Sequence, residues 1–339
     1  MKQIPVRDAV GHVLCHDLTQ IIPGEFKGAR LRKGHIVTEA DIPVLLSMGK
    51  EHLYVWELEP GMLHENDGAA RLARLCKGPG MAESEVREGK IELRAEFDGL
   101  FRVDTARLNA VNAIDELMIA TRRGNTAVRA GDKLCGTRVI PLVIREEKLQ
   151  AAEAAAGEKP LLELLPFKMK NAAVVTTGAE VSGGLIEDKF TPVLIEKLKA
   201  FGIEVIHHSL PGDEPAAVLA AIEAARAAKP DLILCTGGMS VDPDDNTPGA
   251  IKASGARIVT YGAPVLPGAM LLLGYFADGT PILGLPGCVM YAKATVFDKI
   301  LPRIAAGVEL TKADFVALGE GGLCLGCEVC RYPICPFGG

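Results

Sequence analysis

The order of apolar and polar residues changes near residue 171, where short apolar runs begin to alternate with amphipathic segments. The apolar runs predict strands at residues 172–176, 204–208, 232–235, 258–261 and 281–285. The amphipathic segments predict helices at residues 189–200, 214–228 and 289–303. Strands that alternate with helices favour a parallel sheet covered on both faces. We therefore predict an α/β domain over residues 167–309, with a three-layer, doubly wound and mostly parallel sheet.

The rest of the chain has shorter and less regular patterns. Residues 1–63 contain apolar runs at 7–14, 28–37 and 52–56, which predict a small β-rich domain with one helix at 38–48. Residues 64–166 mix helical and alternating segments, so we expect an α+β middle domain that ends in a linking helix. Residues 310–339 are set apart as a cysteine-rich tail.

Composition excludes some classes of function. Hydrophobic residues make up 48% of the chain and the net charge is −6, without a block of lysine and arginine. Nucleic-acid binding, which normally needs a basic patch, is therefore disfavoured. The N-terminus lacks the apolar run of a signal peptide and no stretch is long enough to span a membrane, so we expect a cytoplasmic protein with reduced cysteines.

Glycines and hydroxyl side chains are concentrated in loops that follow the predicted strands of the α/β domain. These loops cover residues 176–181, 210–215, 236–247 and 285–288. Gly178, Gly237 and Gly238 let the backbone approach a ligand and present N–H groups to an anion. Ser240 and Thr247 can donate hydrogen bonds to phosphate oxygens. In open α/β sheets ligands bind beyond the carboxyl ends of the strands, so the loops predict a phosphate site.

Three carboxylates lie in the same loops. Glu180, Asp213 and Asp245 offer hard oxygen ligands of the kind that Mg²⁺ prefers when it bridges a protein to phosphates. A purely structural interpretation stays open for Asp213, which could cap the helix that starts near Pro215.

Taken in order, these loops resemble the molybdopterin-binding domain of the MogA, MoeA and gephyrin families. The matching residues are Thr177-Gly178-Ala179-Glu180-Val181, Asp213-Glu214-Pro215, Thr236-Gly237-Gly238-Met239-Ser240 with Asp245, and Leu285-Pro286-Gly287. The resemblance covers roughly 135 residues and is closest to MoeA, with weaker support from the N-terminal segment.

The resemblance implies an enzyme of molybdenum-cofactor assembly. Such an enzyme binds adenylated molybdopterin with Mg²⁺, accepts molybdate at the dithiolene and releases AMP. Glu180, Asp213 and Asp245 would hold the metal and orient the attacking group. The implied pterin contacts are Thr177, Gly178, Gly237, Gly238, Ser240, Thr247, Pro286, Gly287 and Cys288. A homo-oligomer, either a dimer or a trimer, is also implied.

Two departures from the family pattern leave other functions open. The family's PGKP stretch is Pro267-Gly268-Ala269-Met270 here, which removes a lysine that could meet phosphate or molybdate, unless Lys189 replaces it. The loss favours a non-catalytic carrier or sensor of the cofactor. The stretch Asp245-Asn246-Thr247 is closer to MogA and supports a third possibility, adenylyl transfer.

Cys288 replaces an amide residue of the family's LPGNP turn. It is either a small buried residue in a tight turn or a thiol that faces the dithiolene or the metal.

The tail carries Cys324, Cys327 and Cys330 with two residues between each pair, and Cys335 follows after four more residues. The spacing resembles the ferredoxin run, with one extra residue before the last cysteine. In a reducing compartment clustered thiolates favour a metal, either in an iron–sulfur cluster such as [4Fe-4S] or as zinc. The alternative is a disordered or disulfide-linked tail.

Overall fold

The computed structural model describes residues 2–22, 25–55, 60–178, 182–183, 187–240, 242 and 245–338. The chain divides into two compact units. Unit 1 consists of Met1–Phe97, Arg102–Arg122 and Arg129–Leu164. Unit 2 consists of Asp98–Phe101, Arg123–Val128 and Leu165–Gly339, so the tail belongs to it.

The described residues form short strands before residue 166 and a regular strand–helix succession after it. The strands are β1 (Lys2–Pro5), β2 (Leu18–Ile22), β3 (Phe26–Leu31), β4 (His52–Val55), β5 (Met62–His64), β6 (Met81–Glu83), β7 (Lys90–Ala95), β8 (Gly99–Val103), β9 (Leu117–Thr121), β10 (Thr126–Val128), β11 (Lys133–Val139), β12 (Val143–Arg145), β13 (Leu162–Pro166), β14 (Asn171–Thr176), β15 (Glu204–Ser209), β16 (Leu232–Thr236), β17 (Arg257–Tyr261), β18 (Leu272–Tyr275) and β19 (Pro281–Leu285). The α-helices are α1 (Asp41–Ser47), α2 (Glu65–Cys76), α3 (Thr105–Asn112), α4 (Glu146–Ala156), α5 (Phe190–Lys199), α6 (Pro215–Ala227), α7 (Thr247–Ala253), α8 (Val296–Ala305) and α9 (Lys312–Val316), and 3-10 turns lie at Val6–Asp8 and Gly287–Met290.

Unit 1 contains several small antiparallel sheets. β1 pairs with β4 and β2 pairs with β3, around a buried cluster that includes Leu14, Leu45 and Leu53. Farther along the chain, α2 packs on β7 and β11 of the sheet β6–β7–β11–β9. The imidazole of His64 accepts a hydrogen bond from Asn66 N at 3.1 Å and so caps α2. The helix α2 therefore begins at Glu65, directly after its capping residue His64.

The β-strand predicted from the apolar run at residues 7–14 is wrong. Residues 7–14 form a 3-10 turn at Val6–Asp8 followed by another turn, with isolated bridges only at Val13 and Leu14. The backbone turns because Ala9 N donates to Val6 O at 3.1 Å and Gly11 has a φ of 84°. An apolar run shows burial, but it does not show whether the backbone is extended.

Unit 2 is built on a six-stranded sheet with the order β15–β14–β16–β19–β18–β17. β15, β14, β16 and β19 are parallel neighbours, whereas β18 is antiparallel to both β19 and β17. The predicted α/β class and mostly parallel pairing are thus observed. Since β18 is antiparallel to each of its neighbours, β17 runs in the same direction as β19, and its carboxyl end lies at the same edge.

The parallel strands are apolar at consecutive positions because both faces of the sheet are covered. In β14, Ala172 and Val174 join one buried cluster, while Ala173 and Val175 join another. The first cluster includes apolar residues of α5 and α8, and the second includes residues of α6 and α7. This double burial fixes the register of the strands, because a shift of one residue would exchange the two faces.

The last predicted helix begins later than expected. Residues 287–290 form a 3-10 turn, and α8 begins at Val296 after Thr295. Thr295 and Asp298 form a capping box, in which Thr295 N donates to Asp298 Oδ2 at 2.7 Å and Phe297 N donates to Thr295 Oγ1 at 3.2 Å. The capping residues define the start of the helix more sharply than the apolar period does.

Within the described ranges, no helix has both the length and the apolar character needed to cross a bilayer.

Two neighbouring residues of α5 test the proposed core. Leu194 is fully buried and Ile195 is 41% exposed. Leu194→Ala should lower the free energy of unfolding by about 2–5 kcal/mol, because it leaves a cavity. Ile195→Ala should lower it by less than about 1 kcal/mol. Urea denaturation of the full chain, followed by circular dichroism, measures both; equal losses would contradict the assignment of the buried face of α5.

Candidate functional site

The carboxyl ends of three parallel strands are aligned in one row. Thr176 of β14 is paired with Thr236 of β16, and Thr236 is paired with Leu285 of β19. The loops that begin at Thr177, Gly237 and Pro286 therefore start side by side. The predicted loops after β14, β16 and β19 are thus brought to one edge of the sheet.

The loops after β14 and β16 are joined by a compact set of hydrogen bonds. Thr177 N and Thr177 Oγ1 donate to Thr236 O at 2.8 and 3.2 Å. The hydroxyls of Thr177 and Thr247 are 3.2 Å apart, and Thr247 Oγ1 donates to Gly237 O at 2.8 Å. Thr247 N donates to Gly238 O at 3.3 Å. We call Thr177, Gly237, Gly238 and Thr247 the loop cluster.

Glycine is required in the loop cluster because of conformation and space together. Gly237 has a φ of 82°, and a Cβ atom there would lie 2.2 Å from Thr177 O. Gly238 has a φ of 54°, and its Cβ atom would lie 3.0 Å from Thr247 Oγ1. Positive φ at two consecutive residues forms a turn that residues with a Cβ atom rarely adopt.

One buried hydroxyl at the start of the loop cluster is unsatisfied. Thr236 is fully buried, and its Oγ1 has no hydrogen-bond partner among the residues that the structure describes. Buried polar atoms normally have a partner, so this hydroxyl is an exception beside the loop cluster. Because the atom is fully buried, an ordered water is the partner that its position admits.

The predicted carboxylates are only partly brought together. Asp213 is linked to the loop cluster by Asn246, whose Nδ2 donates to Asp213 O at 3.0 Å. Asp245 precedes Asn246, and its Oδ2 accepts a hydrogen bond from Asp242 N at 3.2 Å. Glu180 lies outside the described residues. Within the described ranges, no three His, Cys, Asp or Glu side chains are placed together to hold a metal ion.

The other residues predicted to contact the ligand lie outside the loop cluster. Ser240 is exposed, and its carbonyl accepts a hydrogen bond from Tyr261 Oη at 3.4 Å. Pro286 is buried and Gly287 is exposed in the turn after β19. Cys288 is partly exposed, and burial raises the pKa of its thiol, so the thiol is protonated at neutral pH. Cys288 is therefore not fully buried, in contrast to the interpretation of this residue as a small, buried turn residue.

Sequence analysis missed Tyr261, which ends β17. Its hydroxyl donates to Met239 O at 3.1 Å, and its side chain stays 45% exposed beside the loop after β16. Burial and the charge of Asp245 raise the pKa of Tyr261. The tyrosine therefore remains a donor and fixes the backbone of this loop. A single aromatic residue at the end of a strand gives no sequence signal of such a role.

A second missed group lies at the ends of β14 and β15. The two carboxylate oxygens of Asp188 receive the N–H groups and the hydroxyl of the first turn of α5, including Thr191. Thr191 Oγ1 lies 2.9 Å from His208 Nε2 and 3.2 Å from Thr176 Oγ1. His208 Nε2 is also 3.2 Å from Asp188 Oδ2. Sequence analysis assigned no role to His208 and missed this polar network, which the Asp188-x-x-Thr191 capping spacing could have indicated.

The four tail cysteines are described and carry free thiols. Cys324 and Cys335 are partly buried, whereas Cys327 and Cys330 are exposed. The tail is ordered on unit 2, and Phe337 near its end is 3% exposed. The structure thus holds the tail on unit 2 without a disulfide between its cysteines.

The matched sequence family agrees with this geometry. Residues 173–306 match a family model described as "Probable molybdopterin binding domain". This segment of the α/β unit is therefore similar to a probable molybdopterin-binding domain. The matched segment is about two fifths of the chain and includes every loop described above. Residues 3–57 match a second model, described as a domain of unknown function.

The curated relatives are similar over a short segment. A "Putative competence-damage inducible protein" of Bacillus cereus (strain G9842) is 34% identical over 106 residues, which is 31% of this chain and 25% of the relative. A "CinA-like protein" of Mycobacterium sp. (strain MCS) is 36% identical over 76 residues, 22% of this chain and 18% of the relative. The chain thus spans about a quarter or less of the length of these relatives.

Two solved structures are similar to part of the chain. A tungsten cofactor synthesizing protein MoaB from Pyrococcus furiosus is 20% identical, with 46% of this chain and 98% of that chain covered and a TM-score of 0.32. The protein CinA from Thermoplasma acidophilum is 18% identical, with 40% and 98% covered and a TM-score of 0.35.

Gly237 can be tested against a glycine of equal conformation. Gly279 has a φ of 88° and open space within 4 Å of the point where a Cβ atom would lie, whereas the Cβ atom at Gly237 would meet Thr177 O. Gly279→Ala should reduce stability by about 1–2 kcal/mol through backbone strain alone. Gly237→Ala should reduce it by about 1–3 kcal/mol more, because the loop must also move. Thermal unfolding compares the two, and equal losses would contradict the close approach of the loops.

Proposed function

We propose that unit 2 binds a molybdopterin-type ligand through the phosphate group, and that the loop cluster receives this phosphate. The observation that supports this proposal is the direct contact of Thr177, Gly237, Gly238 and Thr247 at the carboxyl edge of the sheet. Thr177 and Thr247 donate their own N–H groups and hydroxyls to carbonyls within these loops. The donors that we propose for the anion are therefore the consecutive N–H groups of Gly237 and Gly238. The match of residues 173–306 to a molybdopterin-binding family supports the choice of pterin.

The chemical step we propose is insertion of molybdate into adenylated molybdopterin, with release of AMP. Asp213 and Asp245 are the described carboxylates that would hold Mg²⁺, and Glu180 would join them from outside the described residues. When bound, Mg²⁺ neutralises charge on the pyrophosphate and polarises the phosphoryl oxygens. Asp245, beside the loop cluster, orients the attacking group. The same proposal includes a cytoplasmic location and a homo-oligomer, a dimer or a trimer.

A non-catalytic carrier of the cofactor is the second candidate. It is favoured by the stretch Pro267-Gly268-Ala269-Met270, which provides no side-chain cation for an oxyanion. Lys189 is exposed at the start of α5 and is the residue we propose as a substitute cation. A carrier would hold the pterin through the loop cluster without promoting its reaction.

Asp245→Asn separates binding from chemistry. The variant keeps the size of the side chain but removes its charge, so pterin binding should persist while AMP release falls by about 100-fold or more. The assay incubates the purified full chain with adenylated pterin, molybdate and Mg²⁺, and measures AMP by chromatography. Glu223→Gln on α6 is the matched control, because Glu223 is exposed and is not part of the loops.

The same assay distinguishes the candidates. AMP release by the unmodified chain supports the enzyme, whereas a stable complex without AMP identifies the carrier. AMP release that Asp245→Asn leaves unchanged contradicts the role of Asp245. A parallel incubation of free pterin with ATP tests adenylyl transfer, which the stretch Asp245-Asn246-Thr247 suggested.

Cys288→Ser tests whether the thiol faces the ligand. Serine has nearly the same size but binds soft metals and dithiolene sulfur poorly. If Cys288 contacts the dithiolene or the metal, molybdate retention should fall by about 10-fold while pterin binding changes little. Equilibrium dialysis with molybdate and fluorescence titration with pterin measure the two quantities. Unchanged retention of molybdate would show that Cys288 is only a turn residue.

A further inference from the structure

The first part of the tail is attached to the loop between β17 and β18. Leu266 N donates to Gly322 O at 2.8 Å, and Cys324 N donates to Leu266 O at 2.8 Å. These bonds form a parallel bridge between Leu266 and Leu323. The backbone at Cys324 is therefore held in place on unit 2.

The end of the tail is attached to α8. Tyr332 Oη donates to Asp298 O at 2.9 Å. Phe337 is 3% exposed and belongs to the main buried cluster of unit 2, and the Lys299 ammonium donates to its carbonyl and lies 4.7 Å from its ring centroid. Cys335 lies between these two anchoring residues and packs against the same cluster.

The four cysteines are thus arranged as two fixed thiols and two exposed ones. Cys324 and Cys335 lie at the attached ends, while Cys327 and Cys330 lie in the exposed segment between them. Because both ends are held on one unit, closing the segment over two fixed thiols orders few additional residues. The conformational entropy lost on assembling four ligands is correspondingly small.

The cysteines are interleaved with large apolar side chains that face water. Leu323, Leu325, Val329 and Ile334 are 60%, 69%, 66% and 83% exposed. Such exposure in a segment with ordered ends is unfavourable, and it marks a surface that becomes covered on binding. Apolar side chains around thiolates are what a sulfur-ligated metal uses to limit access of water.

The tail lies at the same edge of the sheet as the loop cluster. β17 runs in the direction of β19, so the loop that follows Tyr261 starts at the edge where the loops after Thr176, Thr236 and Leu285 start. Leu266, which holds the tail, belongs to that loop.

We propose that Cys324, Cys327, Cys330 and Cys335 bind one thiolate-ligated metal centre, zinc or an iron–sulfur cluster, at the ligand edge of unit 2. Four thiolates in a short segment match the ligand number of both centres. The segment 325–331 closes on the two fixed thiols when the metal binds, which covers the exposed apolar side chains. Lys299, beside Cys335, offsets part of the negative charge of the thiolates. The proposal does not depend on pterin binding.

The test uses the full chain, purified without oxygen and then incubated either with Zn²⁺ or with iron and sulfide. After removal of unbound metal, the expected result is one zinc per chain, or iron and acid-labile sulfide in equal amounts with a visible charge-transfer absorption. The metal found identifies the centre. Bound metal should also protect the four tail thiols from alkylation, which mass spectrometry measures for each cysteine.

Cys327→Ser and Cys330→Ser are the informative variants, because both side chains are exposed and their loss leaves the core intact. Each should lose at least nine tenths of the metal, while the circular dichroism spectrum stays the same. Glu328→Ala, between them, is the matched control and should retain the metal. The proposal is overturned if the unmodified chain binds neither metal, or if both cysteine variants retain all of the metal. Pterin titration of the same samples keeps this outcome distinct from a failure of the proposed function.

Discussion

The register of three parallel strands is the constraint on which the site depends. Thr176, Thr236 and Leu285 end in one row because β14, β16 and β19 are paired in this register, and a slip by one residue would exchange the side chains that pack on the two buried faces. That alignment brings Gly237 against the carbonyl of Thr177, a distance that only glycine tolerates. Packing in the sheet thereby determines where the backbone N–H groups of Gly237 and Gly238 lie, and the hydroxyls of Thr177 and Thr247 hold the two loops together.

The charge around this arrangement is unusual for a site that handles anions. Asp213 and Asp245 are the described predicted carboxylates of these loops, and the stretch 267–270 has no lysine. Backbone N–H groups must then supply most of the attraction for phosphate. Additional positive charge would come from a bound cation. Binding of the pterin and reaction of the pterin therefore depend on different groups: binding depends on the backbone N–H groups, and reaction depends on the additional positive charge.

Much of unit 2 could be predicted from sequence, since buried strands give continuous apolar runs and α5 and α6 have clear apolar faces. β18 was missed because Leu272–Tyr275 lies in an apolar stretch rich in glycine and proline, and α7 was missed because seven residues are too few for a helical period. The loops were found because glycine, aspartate and threonine recur there. The roles of Tyr261 and His208 depend on contacts between residues far apart in sequence, which no local pattern contains. Unit 1 was harder to predict, because its strands are short and are interrupted by turns.

The central claim is that the ligand's phosphate lies on the loop cluster. A crystal structure of the full chain grown with molybdopterin tests it most directly. Phosphate oxygens should lie within hydrogen-bond distance of the Gly237 and Gly238 N–H groups, at the carboxyl edge of the sheet. A pterin bound elsewhere, with the loop cluster unliganded, would contradict it.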